Sequence, residues 1–381
     1  MAHRCVPVPL TMPHHAKFGV GELSTRSSAN GTQRRFAAMR NLVRYRRHRG
    51  HGWTGRWVAP VANDPQADLA ALAWSIVRCE PILAWHCGRR LTGTWFPMSD
   101  DAFDRDAWLA RIGYLGPHIP TLETLQTVIS AHSRAISYES IDVLLDRPPK
   151  LDLATLQRKM IAGGRGGYCF EQNMLFRGGL RSLGFKVTSL QARVVRGLEI
   201  DAPRPMLHMV LRVELSEGSF LADVGFGNLA PTGALRLLTH VEQDTPHEVM
   251  RFIAMGEELT LQSKLGDRWE HIYRVVPLPR FDAEYEICNW FTSTHPHSPY
   301  LNNLIAARPG PNKTRLTLFN TRFNVRHASG EVERRILQDE ADYRRILREE
   351  FGIMLSDADL RAALAHVEQR ETRGPPHPFF A

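Results

Sequence analysis

The first candidate for chemistry in this chain is a cysteine that follows a glycine-rich loop. Cys169 comes directly after residues 163–168, Gly-Gly-Arg-Gly-Gly-Tyr, and four glycines within five residues exclude a stable helix there. From Cys169 onward the residues are compatible with a helix. Because a helix N-terminus carries partial positive charge and unpaired N–H groups, it favours a thiolate over a thiol. The pattern therefore predicts a nucleophilic thiol where the loop becomes a helix.

A cysteine nucleophile needs a base and a group that orients the base, and two downstream residues have suitable positions. His208 opens one strand-like segment, and Asp223 stands between apolar residues in the next. An aspartate buried there is costly without a partner, and a histidine N–H is the partner that we expect. His208 follows Cys169 by 39 residues and precedes Asp223 by 15. The three residues are therefore a candidate Cys-His-Asp triad.

The periodicity of apolar residues predicts how this triad is positioned. Helical spacing predicts helices over residues 121–136 and 153–161, which would pack with the Cys169 helix into a bundle. Alternation then predicts an antiparallel barrel or sandwich of about six strands, over residues 186–196, 208–215, 219–224, 247–254, 258–264 and 268–276. The last part is mixed, with a strand-like segment over 315–320 and helices over 340–351 and 356–369.

Composition and cysteine usage exclude several classes of protein. The 381 residues are 43% apolar, which is typical of a globular protein. The sequence contains no run of 18 apolar residues, so we predict no membrane span. The five cysteines show neither CxxC spacing nor a zinc-like grouping with histidine. We therefore expect no metal site, and a reducing cytoplasm is the expected location.

The net charge of +8 comes entirely from the first quarter of the chain. Residues 1–97 carry 14 Lys or Arg and four Asp or Glu, whereas the remaining residues carry 34 and 36. The triad-bearing part is thus nearly neutral, and we expect no nucleic-acid partner for it. Residues 1–97 are interpreted either as a disordered basic extension or as a start assigned too early, with Met98 as the true first residue.

Three segments resemble the arylamine N-acetyltransferase family. Residues 165–173, Arg-Gly-Gly-Tyr-Cys-Phe-Glu-Gln-Asn, are similar to its active-site motif, and His208 and Asp223 fall where its triad partners belong. Residues 120–125 and 289–296 add further matches. The resemblance implies an α+β fold in three parts, with the Cys-His-Asp triad between the first two.

Mapped onto this chain, the resemblance implies four segments. The segment before the fold comprises residues 1–97, and an N-terminal helical bundle with the nucleophile comprises residues 98–184. A central antiparallel β-barrel with His208 and Asp223 spans residues 185–294, and a C-terminal α/β lid spans residues 295–381. The implied activity is transfer of an acetyl group from acetyl-CoA to an arylamine, hydrazine or arylhydroxylamine. The implied mechanism is ping-pong, through an acetyl-cysteine intermediate and without a metal.

The resemblance also implies substrate-binding and coenzyme-binding residues. Tyr138, Val194 and Phe226 occupy positions that line the acceptor pocket in similar enzymes, although plain core packing explains such residues as well. Gly225 and Gly227 form either a simple turn or a loop near the coenzyme A site. Residues 136–140 depart from the family, because relatives commonly have Ile-Pro-Phe-Glu-Asn where this chain has Ile-Ser-Tyr-Glu-Ser.

Three alternatives remain open from the sequence. An amide synthase of the same fold would take its acyl group from a carrier protein and close a macrolactam. A cysteine hydrolase or transglutaminase-like enzyme shares the triad chemistry, with water or lysine as the acyl acceptor. A nucleic-acid binder that acts through the arginines of residues 1–97 would leave the triad unexplained.

Overall fold

The structure, a computed structural model, describes residues 103–371. The predicted basic segment, residues 1–97, therefore lies outside the described residues. Within the described part, no helix is both long enough and apolar enough to cross a bilayer.

Helices dominate the first part of the described chain, and local capping explains where they begin. They are α1 (Arg105–Ile112), α2 (Leu122–Ala135), α3 (Ile141–Leu144), α4 (Leu153–Leu156) and α5 (Cys169–Ser182). The Thr121 side chain accepts a hydrogen bond from the Thr124 N–H at 3.2 Å and so caps α2. The predicted apolar face of α2 is buried, including Leu125 and Val128. Both α2 and the start of the Cys169 helix confirm the sequence-based predictions.

The strands after α5 form one antiparallel sheet that closes almost completely into a barrel. In chain order they are β2 (Lys186–Val194), β3 (His208–Leu215), β4 (Gly218–Ala222), β5 (Leu235–Arg236), β6 (Gln243–Asp244), β7 (Val249–Met255), β8 (Glu258–Leu265) and β9 (Arg268–Val276). Their spatial order is β5-β4-β3-β2-β9-β8-β7-β6. The barrel has eight strands rather than about six, because β5 and β6 are each two residues long and too short to show an alternating pattern.

A second sheet covers the C-terminal part of the fold. Its strands are β1 (Tyr138–Glu139), β10 (Ile305–Pro309), β11 (Arg315–Phe319), β12 (Arg322–Arg326) and β13 (Val332–Ile336), in that spatial order. Three further α-helices of the described chain are α6 (Asp282–Thr294), α7 (Glu340–Arg345) and α8 (Asp357–Glu371). Because Tyr138 pairs with Ala307, a segment from the helical part joins the C-terminal sheet. The division into domains at residues 184 and 294 stays a prediction.

Within residues 103–371, three hydrophobic cores hold these layers together. Trp108 and Phe176 lie in the core between the first helices and the barrel wall, Phe252 lies inside the barrel, and Phe351 lies under the C-terminal sheet. Since α5 packs against β2 and β3, its N-terminus is fixed relative to the barrel. The nucleophile candidate is therefore carried by a rigid element.

Candidate active site

The barrel topology places the two predicted triad partners at the same end of neighbouring strands. β3 begins at His208, and Asp223 directly follows the last residue of β4. Because β3 and β4 are antiparallel, the start of one strand lies beside the end of the other. The His208 Nε2 atom is 2.8 Å from Asp223 Oδ2, and both side chains are buried. The pairing predicted from spacing and burial is thus present in the structure.

Several donors stabilise Asp223 as a carboxylate. Its Oδ1 accepts hydrogen bonds from Asn173 Nδ2 at 2.9 Å and from the Gly225 N–H at 2.8 Å. Burial raises the pKa of this carboxyl, but the charge of His208 and the three hydrogen bonds outweigh burial and lower the pKa below its usual value. The Tyr273 side chain lies nearby, and burial together with the Asp223 charge raises the pKa of Tyr273. Asp223 is therefore ionised at neutral pH.

The Cys169 thiol contacts backbone groups on both sides of His208. Sγ lies 3.8 Å from the Leu207 carbonyl oxygen, and the Met209 N–H donates towards it. Burial raises the pKa of Cys169, the Met209 N–H opposes that effect, and the charge of Asp223 raises the pKa further. Desolvation therefore opposes the effect of the helix N-terminus on this thiol. Deprotonation requires transfer of the proton to a base.

Beneath the glycine loop lies a network of buried charges. Lys159 Nζ is 2.6 Å from Asp142 Oδ2 and 2.7 Å from Glu171 Oε1. Arg165 Nη2 is 2.8 Å from Glu139 Oε1 and 3.0 Å from Asp142 Oδ1. Two cations and three carboxylates thus share one buried site, where their hydrogen bonds are stronger than in water.

This charge network also binds the backbone on either side of the nucleophile loop. The Gly166 N–H donates to Glu139 at 3.3 Å, and the Tyr168 N–H donates to Glu171 at 3.1 Å. The second bond caps α5 one residue before Cys169. Burial raises the pKa of Glu171 to about 7, although the charge of Lys159 lowers it. The network therefore fixes the path of the chain that leads into Cys169.

Two of the three predicted acceptor-pocket residues lie beside the triad. The Phe226 ring packs edge-on against the His208 ring, with centroids 5.2 Å apart. The Tyr138 hydroxyl donates to the Tyr300 hydroxyl at 2.9 Å, and both tyrosines lie close enough to Cys169 for its charge to raise their pKa values, after the larger effect of burial.

Val194 has a different position from the other two. It ends β2 opposite Tyr273 and packs against the barrel core. It is not among the described residues that line the cleft beside Tyr138 and Phe226. Its contacts are those of a core residue, which was the alternative to a role in the acceptor pocket.

The two predicted coenzyme-site glycines make close backbone contacts. A Cβ atom at Gly225 would lie 2.8 Å from the Cys169 Cα, so only glycine fits at this position. Gly227 has φ of +82° and faces the Tyr138 ring, with 3.3 Å between an added Cβ and the ring. The glycines therefore seat this loop against the nucleophile, and binding of coenzyme A by them stays a prediction.

Sequence reasoning did not single out two side chains that complete this site. Asn173 bridges Asp223 and the backbone of Val224 and Met209. Its position at the end of the 165–173 motif could have indicated a role in the site. Tyr273 packs on both His208 and Phe226 but lies on β9, fifty residues from Asp223, without a local signal. Among residues 103–371, no group of three His, Cys, Asp or Glu side chains is arranged to hold a metal ion.

Comparisons with known proteins identify the family of this chain. The N-acetyltransferase family model matches residues 121–360. The chain is 38% identical over 285 residues to an arylamine N-acetyltransferase of Mycobacterium bovis, covering 72% of this chain and 98% of that one. It is 36% identical over 251 residues to that of Escherichia coli, covering 66% and 89%.

Solved structures give the same result. The arylamine N-acetyltransferase of Mycobacterium marinum in complex with CoA superposes with a TM-score of 0.66 at 35% identity, covering 70% of this chain and 99% of that one. The Mycobacterium tuberculosis structure gives 0.66 at 37% identity, covering 69% and 99%. Fold and sequence together define an acyltransferase. More particularly, the chain belongs to the arylamine N-acetyltransferase family.

Proposed function

We propose that this enzyme moves an acetyl group from acetyl-CoA to an arylamine, hydrazine or arylhydroxylamine through an acetyl-cysteine intermediate. The observation that carries the proposal is the buried His208–Asp223 pair, with the Cys169 thiol at the start of α5 in contact with the backbone on both sides of His208. The names of the matched relatives support an arylamine or N-hydroxyarylamine acceptor, and the CoA complex of the Mycobacterium marinum relative supports the donor. These names do not favour the amide-synthase alternative.

In the first half-reaction, His208 accepts the thiol proton and Cys169 Sγ attacks the thioester carbonyl. Because Asp223 occupies Nε2, the atom that receives the proton is Nδ1. The charge of Asp223 stabilises the imidazolium, so the buried thiolate forms as part of an ion pair rather than alone. The tetrahedral intermediate collapses, the C–S bond to coenzyme A breaks, and the leaving thiolate takes the proton from His208.

In the second half-reaction, an amine attacks the acetyl-cysteine carbonyl. His208 Nδ1 removes a proton from the attacking nitrogen and returns it to Cys169 Sγ as the C–S bond breaks. The backbone N–H groups of Phe170 and Met209 lie near Sγ and are candidates for stabilising the oxyanion in both steps. Acetyl amine leaves, and the resting thiol is restored.

Replacement of the nucleophile tests this proposal against a matched cysteine. Cys169→Ala is expected to abolish acetyl transfer while circular dichroism and thermal unfolding show an intact fold. Cys288→Ala is the control, because Cys288 is a half-buried cysteine whose contacts are with Gln191 and the Met206 carbonyl. It should retain parental turnover. Full activity in Cys169→Ala would exclude the proposed mechanism.

A further inference from the structure

A cleft of about 220 Å³ lies between the barrel and the C-terminal sheet. Its described lining combines apolar side chains with arginines and contains no aspartate or glutamate. We call it the arginine cleft, after four lining residues: Arg196, Arg315, Arg326 and Arg334. Positive charge without a carboxylate in the lining favours an anionic ligand over a cationic one in this cleft.

The arginine cleft adjoins the proposed reaction centre through two aromatic side chains. Phe226 packs on the His208 ring, Tyr138 lies close to Cys169, and both also line the cleft. An apolar cavity of about 150 Å³ accommodates benzene. The volume of this cleft therefore suits one aromatic ring with a substituent, held against the aromatic pair.

The charges at the barrel side of the cleft are not balanced. Glu248 alone serves two guanidinium groups, because it pairs with both Arg315 and Arg326. Arg315 is 1% exposed, and its Nη1 is a buried donor without a hydrogen-bond partner in the structure. A buried donor of this kind is costly unless a ligand satisfies it.

Arg196 adds a further positive charge. Among the described residues, none forms an ion pair with it. Burial lowers the pKa of Arg196 and the nearby Arg326 lowers it further, while Glu270 opposes both effects. Arg196 and Arg326 both line the cleft, so an anion bound there would lie near two guanidinium groups. The planar donor fork of arginine matches a carboxylate in two hydrogen bonds.

We propose that the arginine cleft binds the acidic end of the acceptor, so that this enzyme prefers aromatic amines that carry a carboxylate. The ring packs against Tyr138 and Phe226, the amino group is directed to the acetylated Cys169, and the carboxylate pairs with Arg196 and Arg326. This assignment rests on the proposed function and specifies its acceptor. Nothing in the triad itself distinguishes acidic from neutral amines.

The test compares 4-aminobenzoate with its neutral counterpart 4-aminobenzamide. We expect the parent enzyme to favour 4-aminobenzoate in kcat/KM. Arg196→Met should reduce the ratio of the two kcat/KM values about tenfold or more, since hydrogen bonds to charged groups contribute most. Arg196→Lys should restore part of the preference for 4-aminobenzoate. Arg322→Met is the control: Arg322 is exposed on β12, outside the cleft lining, and the ratio should not change.

A second arm separates an acidic acceptor from the phosphates of coenzyme A. Acetylation of Cys169 without acceptor is timed with acetyl-CoA and with 4-nitrophenyl acetate, which has no phosphate. If Arg196→Met slows only the acetyl-CoA reaction and leaves the acceptor ratio unchanged, the arginines serve the donor and the proposal is wrong. An equal ratio in parent and Arg196→Met also overturns it.

A third arm does not depend on turnover. Calorimetric titration of 4-aminobenzoate into Cys169→Ala should show binding that is lost or weakened at least tenfold when Arg196→Met is added. If the parent were never acetylated, the proposed function would fail, yet this titration would still decide whether the cleft holds an acidic aromatic amine. Absence of binding to Cys169→Ala would contradict the assignment.

Discussion

Replacement of Arg165 by methionine should destabilise the fold much more than loss of a comparable surface ion pair. Arg165 is 12% exposed and contacts Glu139 at 2.8 Å and Asp142 at 3.0 Å, while the Glu139 side chain is fully buried. Burial lowers the pKa of Arg165, but the two carboxylates outweigh it and raise the pKa. The guanidinium is thus a permanent charge held by its partners.

The magnitude follows from what the substitution leaves behind. Lys159 still neutralises Asp142 at 2.6 Å, so Glu139 is the carboxylate that loses its cation. Removing one partner of a buried pair costs about 3–5 kcal/mol, and Glu139 keeps hydrogen bonds from the Gly166 and Ile141 N–H groups. We therefore expect a loss of about 3 kcal/mol, or about 6–12 °C in Tm for a domain of this size.

The assay is urea unfolding followed by fluorescence, with Arg147→Met as the matched control. Arg147 pairs with Asp359 at 2.7 Å but is 56% exposed, so its loss should cost about 0–1 kcal/mol. Arg165→Lys should recover part of the loss because it restores a positive charge. Equal unfolding free energies for Arg165→Met and Arg147→Met would refute the idea that burial makes this network stabilising for the loop.

Two further predictions concern packing at the nucleophile and acid stability. Gly225→Ala should lower the rate of Cys169 acetylation and reduce the free energy of unfolding by about 1–3 kcal/mol, because the new Cβ would lie 2.8 Å from the Cys169 Cα. Gly256→Ala is the control: Gly256 has open space around it, so this variant should keep the parental rate despite the positive φ at this position. Burial lowers the pKa of His132 from 6.5 to about 4, although its hydrogen bond to Gln172 raises the pKa, and Trp108 Nε1 donates a hydrogen bond to Nδ1 of the neutral ring. Between these two pKa values His132 binds a proton in the unfolded chain but not in the folded chain. The free energy of unfolding should therefore fall by about 3 kcal/mol as pH falls from about 6.5 to 4. An NMR titration of His132 near pH 6.5 would contradict this.

The parts of the fold that local sequence determines were predictable. The start of α5 at Cys169 follows from the change from glycine to helix-forming residues, and the bounds of β3 and β9 follow from alternation. The His208–Asp223 pair was also predictable, because an aspartate inside an apolar strand needs a partner.

The rest depends on contacts between distant parts of the chain. Strand β1 has two residues, and it joins the C-terminal sheet by pairing with β10, more than 160 residues later. The arginine cleft joins Arg196, which follows β2, to Arg326 at the end of β12. No local periodicity marks such residues, since what they share is a position in the folded chain. The raised pKa of Cys169 likewise comes from burial, which the sequence does not encode locally.

The most direct test of the central claim is mass spectrometry of the intact enzyme after brief mixing with acetyl-CoA, followed by addition of aniline. We expect one acetyl group, mapped to Cys169 by peptide analysis, that persists without amine and disappears when aniline is added, with acetanilide as the product. Cys169→Ala should acquire no acetyl group. An unmodified parent enzyme, or an acetyl group elsewhere on the chain that aniline removes, would contradict the proposed cysteine intermediate.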